Sequence, residues 1–157
     1  GNPTTAVTQD YALLNTFYVG SGTYDGEFQK LTVSNMTVTE TGTTGLKTGM
    51  RLLIMAYAPN KDTSGTVTYN TAATSWVVAK YNDGQTAAIE SQSDGTTSGI
   101  VYTPKFGKSE GDVKVEVYAY YDGADDNVKT TNLINLKDCG ATVTFTATPD
   151  EFGKQTN

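Results

Sequence analysis

The side chains best suited to chemistry in this chain are carboxylates. Asp122-Gly123-Ala124-Asp125-Asp126-Asn127 is its densest acidic cluster, and several hard oxygen ligands in a short loop suit calcium. The spacing departs from the EF-hand loop, which alternates its ligands and ends on a distant Glu. Asp122, Asp125 and Asp126 therefore read as a solvated hairpin turn, with calcium ligation as the alternative. Trp76, between Ser75 and Val77, reads as a buried core indole, with a sugar-stacking platform as the alternative. Asn35-Met36-Thr37 is an N-glycosylation sequon, which makes Asn35 a candidate acceptor. Cys139 is the only cysteine, so no intrachain disulfide forms. It reads as a small buried hydrophobe, or else as a reactive thiol or an intermolecular bridge.

Other chemistry is missing. Histidine is absent, which removes the commonest general base, the Ser-His-Asp and Cys-His arrangements, and zinc sites that need imidazole. Paired carboxylates remain available for glycoside hydrolysis. The acidic residues fall mainly in turn sequences, however, where solvation is expected to keep their pKa values ordinary. No catalytic residue is assigned, and an enzyme is not expected. Without a Gly-rich phosphate loop between a strand and a helix, no nucleotide or other cofactor is expected either.

A formal charge of -6 argues against nucleic acid and against an anionic membrane surface, since both need clustered Lys and Arg. No stretch approaches the ~18 apolar residues of a spanning helix, so membrane insertion is not expected.

The elements that must position these residues are strands. Val113, Val115, Val117, Ala119 and Tyr121 fall on one face of a period-two pattern, with Lys114, Glu116, Tyr118 and Tyr120 on the other. Ala141, Val143, Phe145 and Ala147 alternate in the same way with Thr142, Thr144, Thr146 and Thr148, giving a half-buried strand with an outer threonine ladder. Further strands are expected at 28–39, broken near Ser34-Asn35, and at 51–57, 67–69, 75–81, 86–90 and 100–103. Leu52-Leu53-Ile54-Met55 is apolar on both faces and belongs at the centre of the fold. Asp25-Gly26, Asn82-Asp83-Gly84, Asp94-Gly95 and Asp122-Gly123 supply turns. Residues 11–19 hold an Ala-Leu-Leu run compatible with a short helix, but Thr-Phe-Tyr-Val favours extension.

Short strands with turns every eight to twelve residues predict an all-β fold. The expected form is an antiparallel β-sandwich of jelly-roll or immunoglobulin-like type, with a barrel as the alternative. Residues 1–19 are expected to be an extended N-terminal segment, 20–148 the sandwich, and 149–157 a mobile tail. Tyr57, Tyr69, Tyr81, Tyr102, Tyr118, Tyr120 and Tyr121 spread over several strands. Such rings suit a surface that packs on another surface, and equally an ordinary sheet face.

Two stretches carry a family resemblance. Asn15-Thr16-Phe17-Tyr18-Val19-Gly20 is similar to the opening Asn-Thr-Phe-x-x-Gly of the secreted β-sandwich fibre subunits of the TasA/camelysin type. Val117 to Asp125 and Val143 to Ala147 resemble the closing strand, acidic turn and final strand of such chains. Between them the chain departs from the family, with Thr48-Gly49-Met50 where Pro-Gly-Asp is usual. The resemblance implies export with the leader removed, an extracellular or cell-surface location, and a homopolymeric filament of pilus or biofilm-matrix type. In such a fibre one subunit's N-terminal segment completes the next subunit's sheet. An open sheet edge offers unpaired N–H and C=O groups to such a strand. Tyr11, Leu13, Phe17 and Val19, on one face of that segment with Asn15, are the expected subunit-interface residues. Two rival readings stand beside this one: a virion component such as a tail-tube or decoration protein, and a monomeric carbohydrate-binding or adhesin domain with glycan partners at Trp76 and nearby Tyr residues.

Overall fold

The computed structural model of the chain describes residues 12–40, 45–82, 87–122, 124 and 139–150, with the side chains of 12–14, 40, 46 and 139 outside that description. Its strands are β1 (Ala12–Val19), β2 (Glu27–Glu40), β3 (Met50–Tyr57), β4 (Pro59–Lys61), β5 (Val67–Tyr69), β6 (Ser75–Lys80), β7 (Ala88–Gln92), β8 (Ile100–Tyr102), β9 (Phe106–Gly107), β10 (Val113–Tyr121) and β11 (Cys139–Asp150). One sheet runs β1-β10-β3-β6-β7; a second runs β11-β2-β8, with β9 also on β2; β4 and β5 form a separate ribbon. Every pairing is antiparallel. Among the described residues this is the expected β-sandwich rather than a closed barrel.

Alternation decides what each sheet buries. From β3, Leu52, Ile54 and Ala56 enter the core between the sheets, where they meet Leu31, Val33 and Met36 of β2, Val77 and Ala79 of β6, and Val113, Val115 and Val117 of β10. The other face of β3 puts Leu53, Met55 and Tyr57 into a second cluster with Val78, against which Tyr69, Trp76, Tyr118 and Tyr120 pack. All eight residues of β3 are therefore buried, as expected of a strand apolar on both sides. Removing a side chain such as Ile54, which is fully buried, costs about 2–5 kcal/mol through lost transfer energy and the cavity left behind. The final strand also follows its pattern, with Val143 and Phe145 packed on the core and Thr142, Thr144 and Thr146 exposed.

Several boundaries differ from the sequence expectation. The segment expected to break near Ser34-Asn35 is a continuous 14-residue strand. The irregularity there is a bulge, because Val33 pairs with Phe145 and Asn35 with Thr144, leaving Ser34 unpaired. Its hydroxyl donates to the Thr144 carbonyl at 3.1 Å. The seventh strand lies two residues later than 86–90. The last strand continues through Pro149 to Asp150, past the expected boundary at 148, because both residues pair with β2 and Asp150 is buried.

Candidate functional site

The two sheets meet differently at their two sides. On one side, where β6 and β7 adjoin β8, polar groups lace the seam. Ser75 Oγ donates to the Val101 carbonyl. Gln92, which is buried, accepts from Gly99 N–H at 2.8 Å and donates to Ser98 Oγ at 3.2 Å. These bonds satisfy buried groups and tie the edges together. On the other side β1 and β11 are both edge strands among the described residues, and the ring contact between them is apolar. Phe17 meets Phe145 edge to face at 5.5 Å between ring centroids. Around that pair lies an open cleft of about 400 Å³ lined by Asn15, Phe17, Leu52, Val117, Ala141, Thr142, Val143 and Phe145. Among the described residues, the cleft reaches core side chains between β1 and β11.

The expected interface residues belong to this edge. Phe17 and Val19 oppose Val115 and Val113 on β10 and pack against the core. Tyr11 lies outside the described residues. Leu13 departs from the expected alternation. A bulge between Leu13 and Asn15 shifts the register, so Leu13 stands opposite Tyr118 while Asn15, Phe17 and Val19 stand opposite Val117, Val115 and Val113. Asn15, the polar intrusion in the expected face, is exposed at the cleft.

The remaining candidates separate. Trp76 is half-buried on β6 opposite Met55, packed on the outer cluster, so it is neither a fully buried core indole nor an open platform. Asn35 is half-buried opposite Thr144, and its Oδ1 is buried without a hydrogen-bond partner among the described residues. Asp122 faces Arg51, with Nη2 to Oδ2 at 3.3 Å, and accepts from Ala124 N–H at 3.0 Å. Asp125 and Asp126 lie outside the described residues, as does the side chain of Cys139. Among the described residues no three His, Cys, Asp or Glu side chains gather as a metal centre.

Turn carboxylates were expected to titrate normally, and three do not. Ion pairing and hydrogen bonding with Lys108 hold the Asp25 carboxyl below the usual range. Hydrogen bonds from Ser64 and Thr66 do so for Asp62, and from the backbone and side chain of Thr96 for Asp94. Each pKa is depressed on folding, so the stability gained is complete above the ordinary carboxylate range and is lost as pH falls through the folded value.

The buried Arg51 is a structural residue that sequence reading passed over, and it is held on all sides. Nε faces both Glu90 oxygens at 3.1 Å, and Nη1 donates to the carbonyls of Thr48 at 2.8 Å and Met50 at 3.2 Å. Its signal was the one charge in an otherwise apolar central strand. Glu27 and Asp150, directly opposed on β2 and β11, are both buried. Lys105 Nζ lies 2.8 Å from Asp150 Oδ2, a charge contact short of hydrogen-bond geometry. Comparison with family models, curated proteins and solved structures finds no match to this chain.

Proposed function

We propose that the chain is a structural subunit of an extracellular homopolymeric filament, in which the segment 1–19 of one copy takes the β1 position of the next. The observation that carries this reading is the place of β1. Among the described residues it is the first strand, an edge strand bonded only to β10, and it borders the apolar cleft. A seven-residue connection containing Gly20, Gly22 and Gly26 leads from it to β2 in the other sheet.

In the single chain β1 fills its own slot through seven register pairs with β10. A neighbour's β1 makes the same pairs, so exchange preserves the contacts and changes only which chain supplies them. Repeated head to tail, such a contact does not close, and it builds a thread. The extracellular location rests on the resemblance carried by residues 15–20, 117–125 and 143–147. The partner in this reading is another copy of the chain.

Negative-stain microscopy of the purified chain is expected to show thin single-start threads. A chain lacking residues 1–19 is expected to stay soluble and unpolymerised, and a synthetic peptide of residues 1–19 to bind it and raise its melting temperature. Unchanged filaments from the truncated chain overturn the proposal, and closed rings or tubes from the full chain favour a virion component.

A further inference from the structure

A second cleft, of about 540 Å³, lies where the β1–β2 connection, the β4–β5 ribbon and the turn between β9 and β10 meet. Its volume is in the range of small-ligand sites, roughly 300–1,000 Å³. Backbone builds part of its wall. Gly107 and Gly111 exchange two N–H···O=C bonds, at 2.9 and 2.8 Å. A Cβ on Gly107 would meet the Ser21 Cβ at 3.0 Å, and one on Gly111 would meet the Pro59 Cβ at 3.0 Å, so the segments close tightly there.

Two tyrosines line the cleft, each set against another ring. Tyr24 lies 5.0 Å from Phe28, and Tyr69 lies 5.6 Å from Tyr18. Tyr69 also donates its hydroxyl to the Asp112 carbonyl at 2.7 Å, which fixes the ring. Four charged side chains complete the lining: Asp25, Asp112, Lys61 and Lys108. Lys108 pairs with Asp25, and Lys61 Nζ donates to the Lys108 carbonyl at 2.7 Å. The Asp112 carboxylate rests against Gly20, where a Cβ would come within 2.1 Å of Oδ1, and it has no hydrogen bond or ion pair among the described residues.

The chemistry selects a ligand class. Two carboxylates and two ammonium groups cancel, so a phosphate, a carboxylate or a metal cation gains no net field here. Fixed donors and acceptors beside tyrosine rings suit a neutral molecule with many hydroxyls and one apolar face. We propose that this cleft binds a neutral saccharide. The C–H face of a pyranose packs on tyrosine, Asp112 accepts from its hydroxyls, and Lys61 and Lys108 donate to its oxygens. The site is distinct from Trp76 and does not depend on filament assembly.

The full chain is tested on an array of neutral, uronic-acid and sialylated oligosaccharides, and the neutral hits are titrated by calorimetry. Two variants probe the cleft. The double variant Lys61→Met, Asp112→Asn changes exposed side chains. Gly22→Asn adds bulk at φ 57, where a Cβ meets nothing within 4 Å and Asn is tolerated. Each is expected to melt as the parent does and to weaken neutral-glycan binding at least tenfold. Retention of no glycan, retention of acidic glycans alone, or neutral-glycan binding that survives both variants overturns the proposal.

Discussion

Arg51 shows how one side chain organises a sheet edge. It projects from β3 across β6 to Glu90 on β7, and also reaches Asp122 just beyond β10. Its own side chain is 8% exposed while those of Glu90 and Asp122 are 36% and 37% exposed. Loss of the guanidinium therefore lets both carboxylates hydrate, and the lasting penalty falls on the Thr48 and Met50 carbonyls and the lost packing. Arg51→Met is expected to cost about 1–3 kcal/mol in urea unfolding. Arg51→Lys is expected to recover only part of that, because one ammonium cannot span four acceptors held by a planar fork. A full recovery by lysine would assign the effect to charge alone. The same contact gives Asp122 a partner that the sequence does not reveal. Sequence places it among acids, whereas its partner lies 71 residues away. Trp76 was equally opaque, since alternation assigns a face but not what covers that face.

At the scale of elements, β2 carried its own irregularities in plain view. The residues it sends to the core are Phe28, Leu31, Val33, Met36 and Val38, a spacing of three, two, three, two where an unbroken strand would give two throughout. Each step of three marks a bulge. One is at Ser34; the other spans Lys30 and Leu31, which together oppose Ala147 between the Gln29–Thr148 and Thr32–Thr146 pairs. Reading 28–39 as a strand with one break captured the element but missed that bulges restore the buried face. The strictly alternating β10 and the 141–148 stretch of β11 were legible for the opposite reason, whereas the two ends of β11 were not. Lys30 adopts φ 55, the one non-glycine residue at positive φ among those described. A side chain there costs roughly 1–2 kcal/mol in backbone strain. Lys30→Gly removes that strain and adds unfolded-chain entropy of about 0.5–1 kcal/mol. The variant is expected to be as stable as the parent or up to about 1 kcal/mol more stable in urea unfolding, whereas Lys30→Val is expected to lose stability. A clear loss on glycine substitution would mean that the lysine side chain, not the bulge geometry, holds this turn.

For the whole molecule, the proposed exchange makes assembly a competition between two ways of filling one slot. The seven β1–β10 pairs are the same whether β1 comes from its own chain or from a neighbour, so their energy cancels in the comparison. What remains is the cost of closing the connection within one chain, set against the concentration of neighbours. A short flexible linker presents its strand at an effective concentration in the millimolar range, which holds the monomer at low concentration. The connection must carry the chain from one sheet to the other across Gly20–Gly26. Within it the chain turns, with Tyr24 N–H donating to the Ser21 carbonyl at 2.9 Å and Gly22 at φ 57. Deleting Gly22 and Thr23 strains self-closure but leaves a neighbour's strand free to dock, and short strained hinges favour exchange. That variant is expected to form threads at a protein concentration at least tenfold below the parent's onset, measured by light scattering and confirmed by microscopy. Inserting four Gly-Ser residues instead is expected to shift the onset little, because loop-closure entropy changes only by about 0.6 kcal/mol per doubling of length. A deletion variant that stays monomeric and folded at every concentration would show that β1 does not exchange.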